Sequence, residues 1–227
     1  LVLTLDLQIQ GQRHQDIKNG LAVPPTLQLA TLFDVMNKPA WALNVLRGKR
    51  KSFGNLEGRI PDAKSLTTLS QWIAGQFDPT LSWRDVEWVK KLWGGKLILK
   101  GILNAEDAKI AAQTGADAIV VSNHGGRQLD GAISSIRALP EVVEAVKDKA
   151  EVWLDGGIRS GQDVLKALAL GARAVLLGRA YAYGLGALGE AGVLRALEII
   201  EKELDVSMAL CGVRDVKDVG RAILRAA

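Results

Sequence analysis

Short apolar runs alternate with stretches of helical spacing along the second half of the chain. Ala118-Ile119-Val120-Val121, inside a strand predicted over Asp117–Ser122, has no polar break, as in a parallel strand buried on both faces. Similar strands are predicted at Leu1–Asp6, Lys96–Lys100, Val152–Asp155 and Ala174–Leu177. Asn104 caps a predicted helix that ends at Gly115, and another runs from Ser134 to about Asp148 in spite of Pro140. Ser160-Gly161-Gln162-Asp163 is a capping box that opens the helix Val164–Leu170, which stops at Gly171. Helical sequence runs again from Gly192 to Leu204, and helical periodicity returns from Asp215 to Leu224.

The first third lacks this rhythm. Gln10-Gly11-Gln12-Arg13 leads into a short helical turn, Asp16–Gly20. From Pro24 to Pro61 no succession of strand and helix is visible, and a loop of that length in a compact domain is usually functional or disordered. Within it Pro39–Arg47 has the spacing of one short amphipathic helix, trailed by the basic cluster Arg47, Lys49, Arg50 and Lys51. Helices are predicted over Ala63–Phe77, capped by Asp62, and over Trp83–Trp93, capped by Ser82.

Strand, helix, strand, helix implies the α/β class with parallel βαβ units, as a barrel or as a doubly wound sheet. Five strands are visible, whereas a (β/α)8 TIM barrel needs eight, in about 250 residues. The chain has 227 residues, one long insertion and an opening directly in a strand-like run. The expectation is therefore a TIM barrel of which strands 4 to 8 are present, the first three βα units lying upstream. Residues 1–227 then form the C-terminal portion of a single domain, with 24–61 inserted after its first visible strand.

Composition narrows the function classes. A net charge of +4 without a long Lys/Arg tract or a stacking-aromatic signature argues against nucleic acid as a partner, and suits small anionic molecules. Cys211 is the only cysteine, which excludes an internal disulfide and points to a reducing, cytoplasmic compartment. No charge-free apolar run reaches the roughly 18 to 20 residues that a membrane span needs. No metal-ligand set is expected.

The candidate chemistry lies where the strands end. Past them come Asp6; Lys100; Ser122 with His124 and Arg127; Asp155 with Gly156 and Gly157; and Gly178 with Arg179. In a barrel these positions share one rim, the rim that carries active sites. Around the pair Gly125-Gly126 stand a hydroxyl, an amide, an imidazole and a guanidinium. The last two ends suit a phosphate: glycines let it approach backbone N–H groups at a helix start, and Arg159 and Arg179 add planar donors. Lys100 is either an electrostatic partner for developing negative charge or a Schiff-base nucleophile of the aldolase kind, and the pattern alone leaves both open. No GxGxxG follows any strand, which argues against a nicotinamide site.

Ser122-Asn-His-Gly-Gly-Arg-Gln-Leu-Asp130 resembles the active-site signature of the FMN-dependent α-hydroxy acid dehydrogenase family. The similarity extends through Leu97-Ile-Leu-Lys-Gly101, Leu154–Val164, Lys166–Ala172 and Leu176–Arg179, and covers essentially the whole chain. Phe77–Trp88 is most similar to the respiratory bacterial L-lactate dehydrogenases of that family. The resemblance implies oxidation of an L-2-hydroxy acid, L-lactate to pyruvate first among them, with FMN as cofactor. His124 would be the base, Asp6 its partner, and Arg13 and Arg127 the holders of the substrate carboxylate. Lys100 would face the flavin edge that gains negative charge, which decides against the Schiff base. Thr4 and Ser122 would bond the flavin ring, Asp155 with Gly156 the ribityl region, and Gly157, Arg159, Gly178 and Arg179 the phosphate. The family's first three strands have no counterpart here, so the chain is expected to work only together with that segment; a non-catalytic fragment is the alternative. The loop 24–61 falls where membrane-bound relatives attach. Its Trp41, Leu43, Val45 and Leu46 with the basic cluster fit a peripheral contact on the inner face of the cytoplasmic membrane, and equally a helix packed on the barrel. The membrane reading implies a quinone as electron acceptor, and relatives imply a homotetramer.

Overall fold

The computed structural model of the chain describes residues 1–9, 11–20, 28–48, 55–56, 60 and 71–225. They fall into two compact units, Ile9–Pro79 and the combination of Leu1–Gln8 with Thr80–Ala227. The stretch 24–61 therefore lies within a unit of its own, which begins earlier and ends later than the expected insertion.

That smaller unit contains α1 (His14–Lys18), α2 (Leu29–Met36) and α3 (Pro39–Arg47). α3 has the bounds read from its spacing, with Pro39 in the first turn, where its missing N–H costs nothing. α2 is a helix within 24–61 beyond the one read from the spacing. Its sequence, Leu-Ala-Thr-Leu-Phe-Asp-Val-Met, carries two polar side chains, Thr31 and Asp34, three residues apart on one side. Lys49, Arg50, Lys51, Asp62 and residues 63–70 of the predicted helix Ala63–Phe77 lie outside the described residues; 71–74 are helical.

The larger unit holds five strands: β1 (Val2–Thr4), β2 (Ile98–Ile102), β3 (Ala118–Val121), β4 (Glu151–Asp155) and β5 (Ala174–Leu176). All neighbours are parallel and the order is β1-β2-β3-β4-β5. A doubly wound sheet reverses its order at a switch point; an unreversed run is an arc of a (β/α) barrel. Helices α4 (Trp83–Trp93), α5 (Ala105–Gln113), α6 (Ser135–Val146) and α7 (Gly161–Ala169) precede or separate the strands, and α8 (Arg179–Leu188) and α9 (Glu190–Leu210) follow β5.

Strand alternation sorts the residues into two faces. Leu99, Ile119, Val121, Val152 and Leu154 point to the helices and pack with Ala108, Ala111, Leu139, Val142, Val146 and Val164 in one buried core. The register pairs Thr4 with Lys100, Lys100 with Val120, and Val120 with Trp153. Thr4, Lys100 and Asp155 therefore project from the opposite face, at the C-terminal ends of their strands. Between Lys100 and Ile102 the register shifts by one residue, so that Gly101 is an inserted bulge.

The N-terminal ends of β2 and β3 are held by Asp117. Its carboxylate meets Lys90 Nζ at 2.8 Å and Lys96 Nζ at 2.7 Å, and accepts the Leu97 N–H at 2.9 Å. The hydrogen bonds from Lys90 and Lys96 hold this carboxyl well below the usual carboxylate range. Ser82 and Asp85 close the start of α4, and Ser160 and Asp163 that of α7, as capping boxes.

Two further corrections concern the C-terminal third. α8 lies in Arg179–Leu188, where no helix is predicted, and α9 extends beyond both ends of the predicted Gly192–Leu204. The periodic stretch 215–224 forms two 3-10 turns, Val216–Asp218 and Arg221–Ile223, interrupted by an extended Gly220.

Candidate active site

Beyond β3 the chain turns through Asn123, His124, Gly125 and Gly126. His124 has a backbone φ of +57°, a left-handed conformation uncommon for a residue with a side chain. Local bonds impose it. The His124 N–H donates to Ser122 Oγ at 3.0 Å, and the Asn123 side chain accepts the Gly126 N–H at 3.1 Å. The tight turn needs both glycines in the same left-handed region.

Ser122 is fully buried and uses its hydroxyl three ways. It accepts from His124 N–H and from Lys100 Nζ at 3.1 Å, and donates to Asp155 Oδ2 at 2.7 Å. Lys100 also pairs with Asp155 Oδ2 at 2.9 Å, both side chains being largely buried. The tips of β2, β3 and β4 are thus joined by one network.

On the other side of the imidazole lies Asp6. Asp6 Oδ1 is 3.4 Å from His124 Nδ1, while its second oxygen is buried with no hydrogen-bond partner among the described residues. A carboxylate accepts only, so this contact places the proton on Nδ1 and the lone pair on Nε2.

A cleft of about 340 Å³ opens over this network, within the usual range for a small-molecule site. Lys100, His124, Arg127, Asp155, Gly156, Gly157, Arg159, Gly178 and Arg179 all line it. Of the residues singled out from the sequence, Thr4 and Ser122 sit at or beneath this rim, and Asp6 behind His124. Arg13 belongs to the separate unit Ile9–Pro79, as the residue before α1.

Around the glycines the backbone stands clear. A Cβ at Gly157 or Gly178 would meet nothing within 4 Å. α8 starts directly after Gly178 with no side chain capping it, which leaves its first N–H groups to an outside acceptor. The Arg159 N–H donates to Asp163 Oδ2 at 3.0 Å, and the Arg179 guanidinium donates to Gly125 O at 3.0 Å. Arg179 so bridges the histidine turn and the last strand end.

Three supporting residues were given no role of their own by the sequence reading. Asn123 braces the turn, and Ser135 donates to Gly156 O at 3.3 Å. Gly101 lies against Asp6, where a Cβ would come within 2.7 Å of the carboxyl carbon. Asn123 was legible as an Asx-type turn residue before two glycines; the other two act through contacts distant in sequence.

Comparison with known proteins gives the family. The model of the family described as FMN-dependent dehydrogenase matches residues 1–226. The L-lactate dehydrogenase of Caulobacter vibrioides (strain NA1000 / CB15N) is 49% identical over 225 residues, which are 99% of this chain and 58% of that protein. The L-lactate dehydrogenase of Yersinia pestis (strain Pestoides F) is 46% identical over 222 residues, 97% of this chain and 58% of that protein. A crystal structure of the monotopic membrane protein (S)-mandelate dehydrogenase superposes with a TM-score of 0.93 at 37% identity, covering 100% of this chain and 60% of that one. The chain thus spans less than two thirds of the length of these relatives. With the barrel arc, the rim chemistry and a family match from end to end, the chain belongs to the FMN-dependent dehydrogenases.

Proposed function

We propose that this chain carries the catalytic rim of an FMN-dependent L-2-hydroxy acid dehydrogenase whose substrate is L-lactate. The observation that supports it most is the meeting of His124, paired with Asp6, and Lys100, paired with Asp155, on one rim that continues into an arginine- and glycine-lined cleft.

The residues present fit FMN. The open backbone at Gly157 and Gly178, the uncapped start of α8 and the guanidiniums of Arg159 and Arg179 form a donor set for a phosphate. Lys100 and Ser122 would hold the ring, with Thr4 beside them, and Asp155 the ribityl chain. FMN, when bound, supplies an acceptor for the two electrons removed from the carbinol.

The protein's own groups do the rest. Arg127 would fix the substrate carboxylate through planar paired donors. His124 Nε2 would then take the proton from the substrate hydroxyl, and Asp6 would stabilise the imidazolium formed. A Schiff-base role for Lys100 is disfavoured by the match to the FMN-dependent dehydrogenases, and its amine is already engaged by Asp155 at 2.9 Å and Ser122 at 3.1 Å.

The exposed side chains of Leu29, Phe33, Met36, Trp41 and Leu46 on α2 and α3 support peripheral membrane contact by the smaller unit, and with it a quinone as electron acceptor. Among the described residues no helix is long and apolar enough to cross a membrane.

The test is an anaerobic absorption spectrum of the FMN-loaded, full-length protein before and after L-lactate. Bleaching of the flavin bands is expected, and His124→Gln should keep FMN while losing at least 100-fold in the rate of bleaching, the scale of a lost general base. A protein that takes up no FMN, or a His124→Gln variant reduced at the normal rate, overturns the reading.

A further inference from the structure

The structure assigns a second task to the bulge in β2: we propose that Gly101 is a positioning residue that seats the Asp6 carboxylate against His124. The inference rests on the reading of His124 as the base.

The path of the chain makes the seat. The Leu5 N–H donates to Lys100 O at 2.7 Å, which ties the chain leaving β1 to β2 just before Gly101. The next residue, Asp6, is thereby laid over Gly101. A Cβ built on Gly101 would lie 2.7 Å from Asp6 Cγ and 2.8 Å from both Asp6 Cβ and Oδ1. That Oδ1 is the atom 3.4 Å from His124 Nδ1. Any side chain at 101 must therefore displace the oxygen that orients the imidazole. Gly101 also has a φ of +105°, which side chains rarely adopt, so the bulge and the seat call for glycine independently.

The bulge has a third consequence. Without the inserted residue, the strand's alternation would continue past Lys100 without a break. With it, Lys100 faces the cleft while Ile102 pairs with Val121 and enters the core. A single glycine separates the ammonium of one network from the carboxylate of the other.

The test compares wild type, Gly101→Ala, Asp6→Asn and the double variant as full-length FMN holoenzymes. Gly101→Ala should lower kcat about 100-fold with KM and FMN affinity nearly unchanged, the scale of a misplacement of roughly 1 Å. Added to Asp6→Asn it should cost little more, because the group it positions is already disabled. The His124 Nδ1–H proton resonance, identified by its loss in Asp6→Asn, should also be lost in Gly101→Ala. This signal reports the seat whether or not lactate reduces the flavin, so failure of the functional reading and failure of the seat are distinguishable. Additive losses, an unchanged resonance, or a loss of FMN affinity equal to the loss in kcat would overturn the proposal. Should Gly101→Ala not fold, Asp6→Glu decides: a seat sized for aspartate predicts a loss as large as that of Asp6→Asn, and wild-type turnover would refute it.

Discussion

Lys100, Ser122 and Asp155 stand at the ends of three successive strands and are bonded to one another. Asp155 can spare neither partner cheaply, since its side chain is only 17% exposed. Removing one member of a largely buried pair strands a charge, whereas removing both does not. Lys100→Met should therefore destabilise the protein by about 3 kcal/mol in urea unfolding, with most of the loss recovered in Lys100→Met/Asp155→Asn. A single-variant loss that the second substitution deepens would show that the pair is not the source. The identities of these three residues were readable, because strand ends in a βα pattern mark a rim. Their mutual bonds were not: they depend on which strands are neighbours and on how the register pairs Thr4, Lys100 and Val120. His124 illustrates the same division. Its place beside two glycines is plain in the sequence, but the left-handed backbone, of a kind that costs about 1–3 kcal/mol, is visible only with Ser122 and Asn123 around it.

At the scale of elements, local signals were read well where polar and apolar positions contrast. α4 and α3 match their predicted bounds, and α7 begins at its capping box. α8 was missed because Gly184 and Gly186 weaken helix propensity, yet one of these glycines is there for packing. A Cβ on Gly184 would come within 2.4 Å of Gly192 O, so α8 and α9 approach backbone to backbone. The same logic governs Gly161 at the start of α7, where a Cβ would lie 1.9 Å from Leu204 N of α9. Gly161→Ala should force the two helices apart and lower stability by about 2 kcal/mol or more, measurable by thermal unfolding; an unchanged melting temperature would contradict the contact. The stretch 215–224 shows the converse, periodicity without a continuous helix, since the backbone is extended at Val219 and Gly220 between its two turns. Asp117 ties α4, β2 and β3 together, and its depressed carboxyl pKa gives the effect a sign. Because the folded pKa lies below the unfolded value of about 4, the stabilisation is fully present above that value and is lost as the pH falls through the folded pKa. Asp117→Asn should accordingly be less stable than wild type at pH 7, and the gap should narrow steadily on acidification below about pH 4. A gap independent of pH would assign the loss to packing instead.

For the molecule as a whole, the two units invite separate experiments. The smaller one exposes Leu29, Phe33 and Met36 along α2. If these residues meet a bilayer, Phe33→Asp should reduce co-sedimentation of the full-length holoenzyme with phosphatidylglycerol vesicles at least tenfold, leaving lactate-driven flavin bleaching intact; equal sedimentation of both proteins would remove the membrane reading. The larger unit divides its duties along the strands. The ion-paired bracket at Asp117 grips β2 and β3 at the ends remote from Lys100 and Ser122. Substitutions that retune what the cleft accepts thus leave untouched the clasp that keeps those two strands in step. Cleft positions outside the Lys100–Asp155 pair can therefore vary while the far ends of β2 and β3 stay in register.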